Sequence, residues 1–236
     1  MTDSEVRIAG ATRAAVDSPD RAAVWDLIKI VAADWSARPL GPRDGCPEEE
    51  LDAAAVRLGL PLPAALREAF QLFGRRDDLT RNQDPFSTPG DLDLYEGALV
   101  FREENQGVCW WGVLLEDLGQ DDPPTYLRSD MADKSQEHWT PWTDRLSLAL
   151  AEMVLAETVL EDTEDLTDGT DFSPGILEDL GLRPLPSLAP AWCETGFHVG
   201  PDLLAHVSGG SWISVRGRTP EALAAFSGDE DSEDEE

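Results

Sequence analysis

The chain has 236 residues, of which 48 are acidic and 18 are lysine or arginine, so its formal net charge is −30. A surface this negative repels phosphate backbones and anionic headgroups, which excludes nucleic acid and membranes as expected partners and favours a basic protein. A hydrophobic content of 41%, with eight tryptophans, is enough for a packed core. The alternative interpretation of the charge is that it serves only solubility.

The cysteine content and the hydropathy of the chain indicate the cellular compartment in which the protein is expected. Cys46, Cys109 and Cys193 are odd in number and widely spaced, with no C-x-x-C pair, which argues against a disulfide framework. No charged-then-apolar leader opens the sequence, and no apolar run approaches the ~20 residues that span a bilayer. We therefore expect a cytoplasmic protein.

The N-terminal region is interpreted as an extension, residues 1–45, that contains one helix. Residues 1–17 are small and polar and predict a loosely ordered segment. Ser18 and Pro19 predict a helix start, because serine caps and proline suits the first helical position. Apolar residues then recur at helical spacing as far as Trp35, and the Gly/Pro-rich stretch 38–46 predicts a linker.

The middle of the chain changes from helical to extended periodicity. Helices are predicted from Pro47 to Gly59 and from Pro63 to Gly74, since proline opens and glycine ends each apolar stripe. Residues 98–103 and 108–115 predict two strands joined by a polar turn. The second strand is apolar on both faces, so we expect it to be central in its sheet.

The C-terminal half alternates helix, linker and strands. Thr143 is expected to cap a long helix that ends near residue 161, and the acidic, proline-bearing stretch 161–190 predicts a linker. Further elements are predicted as strands 203–208 and 211–216, a turn at Gly209-Gly210, and a short helix from residue 219 to 226.

The predicted order of elements indicates an α+β fold with a mainly antiparallel sheet flanked by helices. Residues 46–227 form the expected α+β domain. Residues 228–236 form an expected disordered acidic tail, because a run of like charges has no apolar face to bury.

Catalytic, metal and cofactor signatures are weak, and we expect no enzyme activity, no metal and no cofactor. The chain lacks the nucleophile elbow, the phosphate-binding loops and the zinc motif of known enzyme classes. Cys109 lies in an apolar run, which favours a buried core residue over a nucleophile. The stretch 164–175 resembles a calcium loop, but Leu166 and Gly175 occupy positions that need oxygen ligands.

The most distinctive stretch runs from Val100 to Val113 and is followed by Asp121 to Tyr126. Adjacent Trp110 and Trp111 must point to opposite faces of a strand, so one enters the core, while the other is either covered by a helix or lines a surface groove. The alternative interpretation is that both belong to the core. Acids cluster beside the turn and are expected to lie close together. The predicted partner-binding residues are Glu103, Glu104, Asn105, Gln106, Trp110, Asp117, Asp121, Asp122 and Tyr126.

These segments resemble the SUKH superfamily, which includes bacterial immunity proteins of polymorphic toxin systems and a fungal regulator of cell-wall synthesis. The resemblance rests on the order of four motifs between residues 47 and about 161: LGLPLPAALREAF, ENQGVCWWGV, DDPPTY, and the tryptophans Trp139 and Trp142 before the long helix. The extension and the acidic tail have no counterpart. The resemblance implies an α+β fold without catalytic residues that binds and neutralises a toxin.

Three functions compete on this basis. The leading hypothesis is a non-enzymatic immunity-type protein that binds a basic toxin domain, such as a nuclease, whose phosphate-gripping surface complements an acidic face. The second is a regulatory scaffold that binds an endogenous cellular protein. The third is a carboxylate-dependent hydrolase, which has little support because 48 acids allow any pair to be chosen.

Overall fold

The structure is a computed structural model that describes residues 2–161, 163 and 165–227. These residues form eight α-helices and ten β-strands. The helices are α1 (Asp3–Asp17), α2 (Arg21–Trp35), α3 (Glu48–Leu58), α4 (Ala64–Phe73), α5 (Asp77–Thr80), α6 (Leu146–Val159), α7 (Pro174–Asp179) and α8 (Pro220–Ser227). The strands are β1 (Asp93–Tyr95), β2 (Ala98–Glu103), β3 (Cys109–Leu114), β4 (Tyr126–Ser129), β5 (Thr140–Pro141), β6 (Thr167–Asp171), β7 (Arg183–Pro184), β8 (Gly196–Gly200), β9 (Leu203–Ser208) and β10 (Trp212–Gly217).

The strands make two five-stranded antiparallel sheets, and the predicted α+β class is confirmed. The first sheet has the order β1-β2-β3-β4-β5, with β3 in its centre as expected. The second has the order β6-β10-β9-β8-β7. The predicted helices α3 and α4, and the strands β2, β3, β9 and β10, occur within one or two residues of their expected bounds.

Helix α6 lies at the centre of the molecule. Its apolar residues surround the whole axis, and such a helix must be buried on all sides. It packs against α2, α4 and α5 and against strands β9 and β10. The expected cap at Thr143 is wrong, because its hydroxyl donates to the carbonyl of Arg145. Asp122 instead accepts from the Ser147 backbone N–H at 2.8 Å in the first turn.

The N-terminal segment contains two helices where the sequence predicted one. Residues 3–17, expected to be loosely ordered, form α1, which begins with a reciprocal capping pair between Thr2 and Glu5. Its buried residues are Ser4, Glu5, Ile8, Thr12 and Ala15. All except Ile8 are small or polar, which hides the helical period. Helices α1 and α2 both contribute to the core cluster that contains α6.

The expected linker at 161–190 is also corrected, because it contains β6, α7 and β7. Strand β6 pairs with β10 at the edge of the second sheet, where a strand can be polar. Gly169 is required there, since a Cβ atom would lie 2.9 Å from the Trp212 indole nitrogen. The predicted tail, 228–236, lies outside the described residues. In the part of the chain that the structure describes, no helix is both long and apolar enough to cross a bilayer.

Candidate protein-binding site

The outer face of the first sheet is the surface on which the predicted site residues converge. Directly paired residues of adjacent strands point to the same side of a sheet. Trp110 pairs with Glu103 on β2 and with Arg128 on β4, and Gly112 pairs with Tyr126. The residues on this side are Asp93, Tyr95, Ala98, Val100, Glu103, Trp110, Gly112, Leu114, Tyr126, Arg128 and Pro141.

Aromatic side chains cover the middle of this outer face. The rings of Tyr95 and Trp110 are 4.9 Å apart between centroids and inclined at 44°. Ala98 and Val100 are almost fully buried, although neither belongs to a core cluster of the molecule. Tyr95 itself is 37% exposed, and Trp110 is half-buried. The aromatic layer therefore shields small apolar residues beneath it and presents its own outer surface to solvent.

Gly112 allows Trp139 to lie close against the sheet. A Cβ atom on Gly112 would lie 3.1 Å from Cη2 of Trp139 and 3.1 Å from the carbonyl oxygen of Leu99. The Trp139 indole N–H donates to the carbonyl of Glu96 at 2.9 Å, which fixes the ring across the sheet. Glu96 and Gly97 form the β1–β2 turn with positive φ at both residues, as a two-residue hairpin turn requires.

The segment 130–139 is held to the sheet by ion pairs around Glu137. Its carboxylate accepts from Arg128 Nη2 at 3.2 Å, from Lys134 Nζ at 2.8 Å and from the Met131 backbone N–H at 2.9 Å. The Lys134 hydrogen bond is the main cause that lowers the pKa of Glu137 to about 2. Lys134 also pairs with Asp130. These contacts fix the segment that carries Trp139.

Acids surround the aromatic layer. Four of them are exposed, namely Asp93, Glu96, Glu103 and Glu116. Asp117 is half-buried and accepts from the Tyr126 hydroxyl at 3.3 Å. Burial and the Asp117 carboxylate raise the pKa of Tyr126, which keeps the phenol protonated as a donor. Among the described residues of this face and the segment 130–139, the cations are Arg128 and Lys134, and both are already paired.

The predicted site residues divide into three groups, two at the outer face and a third, Asp121 and Asp122, elsewhere. Glu103, Trp110, Asp117 and Tyr126 lie on or beside the outer face. Glu104, Asn105 and Gln106 form the β2–β3 turn at one end of it. Glu104 closes that turn, because its carboxylate accepts from the backbone N–H groups of Gln106 at 2.8 Å and Val108 at 3.3 Å.

Asp121 and Asp122 lie at the other end of β3, so the expectation that they lie close to the acids beside the turn is wrong. The six residues of β3 separate the two acidic segments by roughly 17 Å, given the rise of a strand. Asp122 also accepts from the Ser147 hydroxyl at 2.7 Å, and the Asp121 carbonyl accepts from the Ala65 backbone N–H. These contacts fix the first turns of α6 and α4.

Tyr95, Arg128 and Trp139 shape this face but did not enter the predicted site. Tyr95 lies in the stretch DLYEG, residues 93–97. Its Glu96-Gly97 pair between two extended segments is a hairpin signal that would have placed Tyr95 on this sheet. Of the tryptophan pair, Trp111 is the core residue, at 8% exposed.

The interior holds a second cluster of charged residues beneath the same sheet. Arg102 donates to Glu152 at 3.0 Å and to Asp84 at 3.4 Å, and lies 3.6 Å from Glu157. Burial is the main cause that raises the pKa of all three carboxyl groups. Arg102, Glu152 and Glu157 are at most 3% exposed, so a solute cannot reach these three residues without opening the core.

Burial disfavours the charged forms of both the Cys109 thiol and the His206 imidazole. Cys109 contacts the Ser129 hydroxyl at 3.8 Å, and burial raises the pKa of its thiol, which disfavours the nucleophilic thiolate. His206 is buried against the Phe197 ring, and this burial lowers its pKa to about 4. Among the described residues, no group of three or more His, Cys, Asp or Glu side chains is placed to hold a metal ion.

Comparison of the chain with protein-family models, curated proteins and solved structures gave no match. The outer face is therefore interpreted from its own geometry and charge.

Proposed function

We propose that this chain is a non-enzymatic protein-binding module whose working surface is the outer face of the first sheet. The observation that carries the proposal is the partly exposed aromatic layer of Tyr95 and Trp110, surrounded by exposed acids, in a protein of net charge −30. Aromatic residues are enriched among the side chains that dominate binding energy at protein interfaces. Acids around them accelerate association with a basic partner and disfavour acidic ones.

The sheet face supports this role better than the edge of the same sheet. Strand β1 is an edge strand, and such an edge can bind an extended peptide through free backbone groups. Here the Leu94 N–H already donates to the carboxylate of Asp93 at 2.8 Å. The strand is also only three residues long. The aromatic side chains, in contrast, are held in place by the sheet and by the segment 130–139.

The partner that best fits this surface is a basic toxin domain, and the chain would act as its immunity protein. A nuclease domain, for example, carries a cationic surface that grips phosphates. An acidic protein seated on that surface would block substrate by charge and by volume, without chemistry of its own. The resemblance of the ENQGVCWWGV and DDPPTY segments to SUKH immunity proteins supports the same proposal.

Capture of a defined partner tests the proposal. The wild-type chain, a Tyr95→Ala/Trp110→Ala variant and a Trp212→Ala control are each co-expressed with the product of the neighbouring gene. Trp212 is a suitable control because it is 45% exposed but lies on the second sheet. We expect the wild type and control to bind this product and relieve its toxicity, and the double variant to do neither.

Two results would contradict the proposal. One is a folded double variant that binds the partner as tightly as the wild type does. The other is a bound partner whose contact surface, mapped by cross-linking, is acidic. Circular dichroism of each variant shows that the comparison is made between folded proteins.

A further inference from the structure

Glu103 is an unpaired acid beside the aromatic layer. It is directly opposite Trp110 in the β2–β3 register, which places their Cβ atoms about 5 Å apart. Its side chain is exposed, and it has no salt-bridge partner among the described residues. Glu103 and Trp110 therefore present a carboxylate and an indole side by side to solvent.

The other side of Trp110 shows what such a pair of groups can bind. Arg128 is the cross-strand neighbour of Trp110 on β4. The central carbon of its guanidinium lies 5.8 Å from the centroid of the Tyr95 ring, and Nη2 lies 3.2 Å from Glu137. This face thus already binds one guanidinium between an aromatic ring and a carboxylate. Glu103 repeats the arrangement across Trp110 without a cation.

We propose that an arginine side chain of the partner binds at this position, with its guanidinium against the Trp110 indole and paired with Glu103. The inference rests on the proposed function and specifies the chemistry of the partner. Arginine fits better than lysine, because a planar guanidinium stacks on an aromatic face and also donates two parallel hydrogen bonds to a carboxylate. Exposed Asp93 and Glu96, on β1 and its turn, add a negative potential that attracts the cation.

A titration with a small probe tests this site in the intact chain. The probe is N-acetyl-arginine amide, and the matched controls are the citrulline and lysine analogues. Citrulline keeps the shape of arginine without its charge. We expect arginine amide to shift the NMR signal of the Trp110 indole N–H in a saturable way at millimolar concentration. Lysine amide should shift it less, and the citrulline analogue should leave it unchanged.

Two variants assign the binding to Glu103. Glu103→Gln should weaken arginine amide about 2- to 5-fold, the size expected for an exposed ion pair. Glu178→Gln removes an exposed acid from α7, which packs on the second sheet, and should change nothing. Equal shifts with the citrulline analogue, or an unchanged affinity in Glu103→Gln, would overturn the arginine site.

The outcome of the arginine titration can be distinguished from the outcome of the capture experiment that tests the proposed function. Capture of the partner depends on the aromatic pair, whereas the titration measures a single cation beside Glu103. Loss of capture in the Tyr95→Ala/Trp110→Ala variant together with a failed arginine titration would retain the binding face and reject the arginine. Retained capture in that variant would reject the proposed face itself.

Discussion

The two sheets of this protein have the same number of strands but differ in what covers them. The second sheet has α6 and the main core against one face, and α7 and α8 against the other. The first sheet packs Leu99, Phe101, Trp111 and Val113 into the main core. Within the part of the chain that the structure describes, its own aromatic side chains and the segment 130–139 cover its other face. An incompletely covered face with aromatic residues is where a partner gains most from burial.

On β2 and β3, neighbouring residues point to opposite faces of the sheet. One residue of each pair therefore belongs to the buried core and the other to the outer face. Arg102 and Trp111 point inward, where the guanidinium lies 4.4 Å from the centre of the indole ring. Glu103 and Trp110, one residue away on each strand, point outward. The same residue types, a charge and an indole, therefore act as buried structure on one side and as an exposed surface on the other.

The first prediction separates these roles by truncating each tryptophan. Trp111→Ala should lower the free energy of unfolding by about 3–5 kcal/mol, because it removes a buried aromatic ring and leaves a cavity. Trp110→Ala should cost much less stability and should instead weaken partner binding. Urea unfolding of both variants measures this difference. Equal losses of stability would show that both tryptophans belong to the core.

The second prediction concerns the buried cation on the same strand. Arg102→Met leaves Glu152 and Glu157 without their counter-charge and should cost about 3 kcal/mol or more at neutral pH. Burial raises the pKa of Glu152, so the folded state favours its protonated form. The penalty is therefore present above this raised pKa and is relieved as the pH falls through it.

Urea unfolding of the wild type and of Arg102→Met at pH 5 and pH 8 tests the direction of this pH dependence. The gap in stability between the two proteins should narrow at the lower pH. Arg218→Met serves as a control, since Arg218 is partly exposed and pairs only loosely with Asp202 at 3.4 Å. A gap that widened on acidification would mean that the carboxylates do not depend on Arg102.

The third prediction disturbs the outer face without removing any aromatic residue. Gly112→Ala should displace Trp139 and cost about 1–3 kcal/mol, as overpacking typically does. The Trp139 indole N–H should lose its bond to the Glu96 carbonyl and exchange faster with solvent, which NMR detects. Gly119→Ala is the control, because nothing lies within 4 Å of a Cβ atom there. An unchanged Trp139 signal in a folded Gly112→Ala protein would contradict the proposed contact.

The sequence predicted the elements whose signals are local. Proline and glycine marked both ends of α3 and α4, and Gly209-Gly210, with positive φ at both residues, marked the β9–β10 hairpin. Helix α1 was missed because its buried stripe relies on small residues. Strand β6 was missed because an edge strand can be polar, and its pairing with β10 depends on residues about 45 positions away.

For the site, the sequence predicted that Trp110 and Trp111 point to opposite faces of β3, because alternation along a strand is a local rule. It placed Asp121 and Asp122 wrongly, because their separation from the turn depends on the direction of β3. The structural role of Asp122 depends on α6, which follows 24 residues later in the chain. Proximity in sequence to a surface turn was a poor guide to proximity in space.

The last prediction, with the smallest expected effect, asks whether binding depends on the face or only on total charge. Deleting residues 229–236 removes seven acids and takes the formal net charge from −30 to −23. The tail was expected to be dispensable for folding, so the unfolding free energy should not change. Neutralising Asp93, Glu96, Glu103 and Glu116 to amides removes only four charges, but all four surround the aromatic layer. Because screening limits charge effects to about 10 Å at 0.1 M salt, the fourfold variant should slow association more than the deletion does and should show the smaller salt dependence. Association rates measured at two salt concentrations decide between the two, and a larger effect of the deletion would mean that net charge, and not the outer face, attracts the partner.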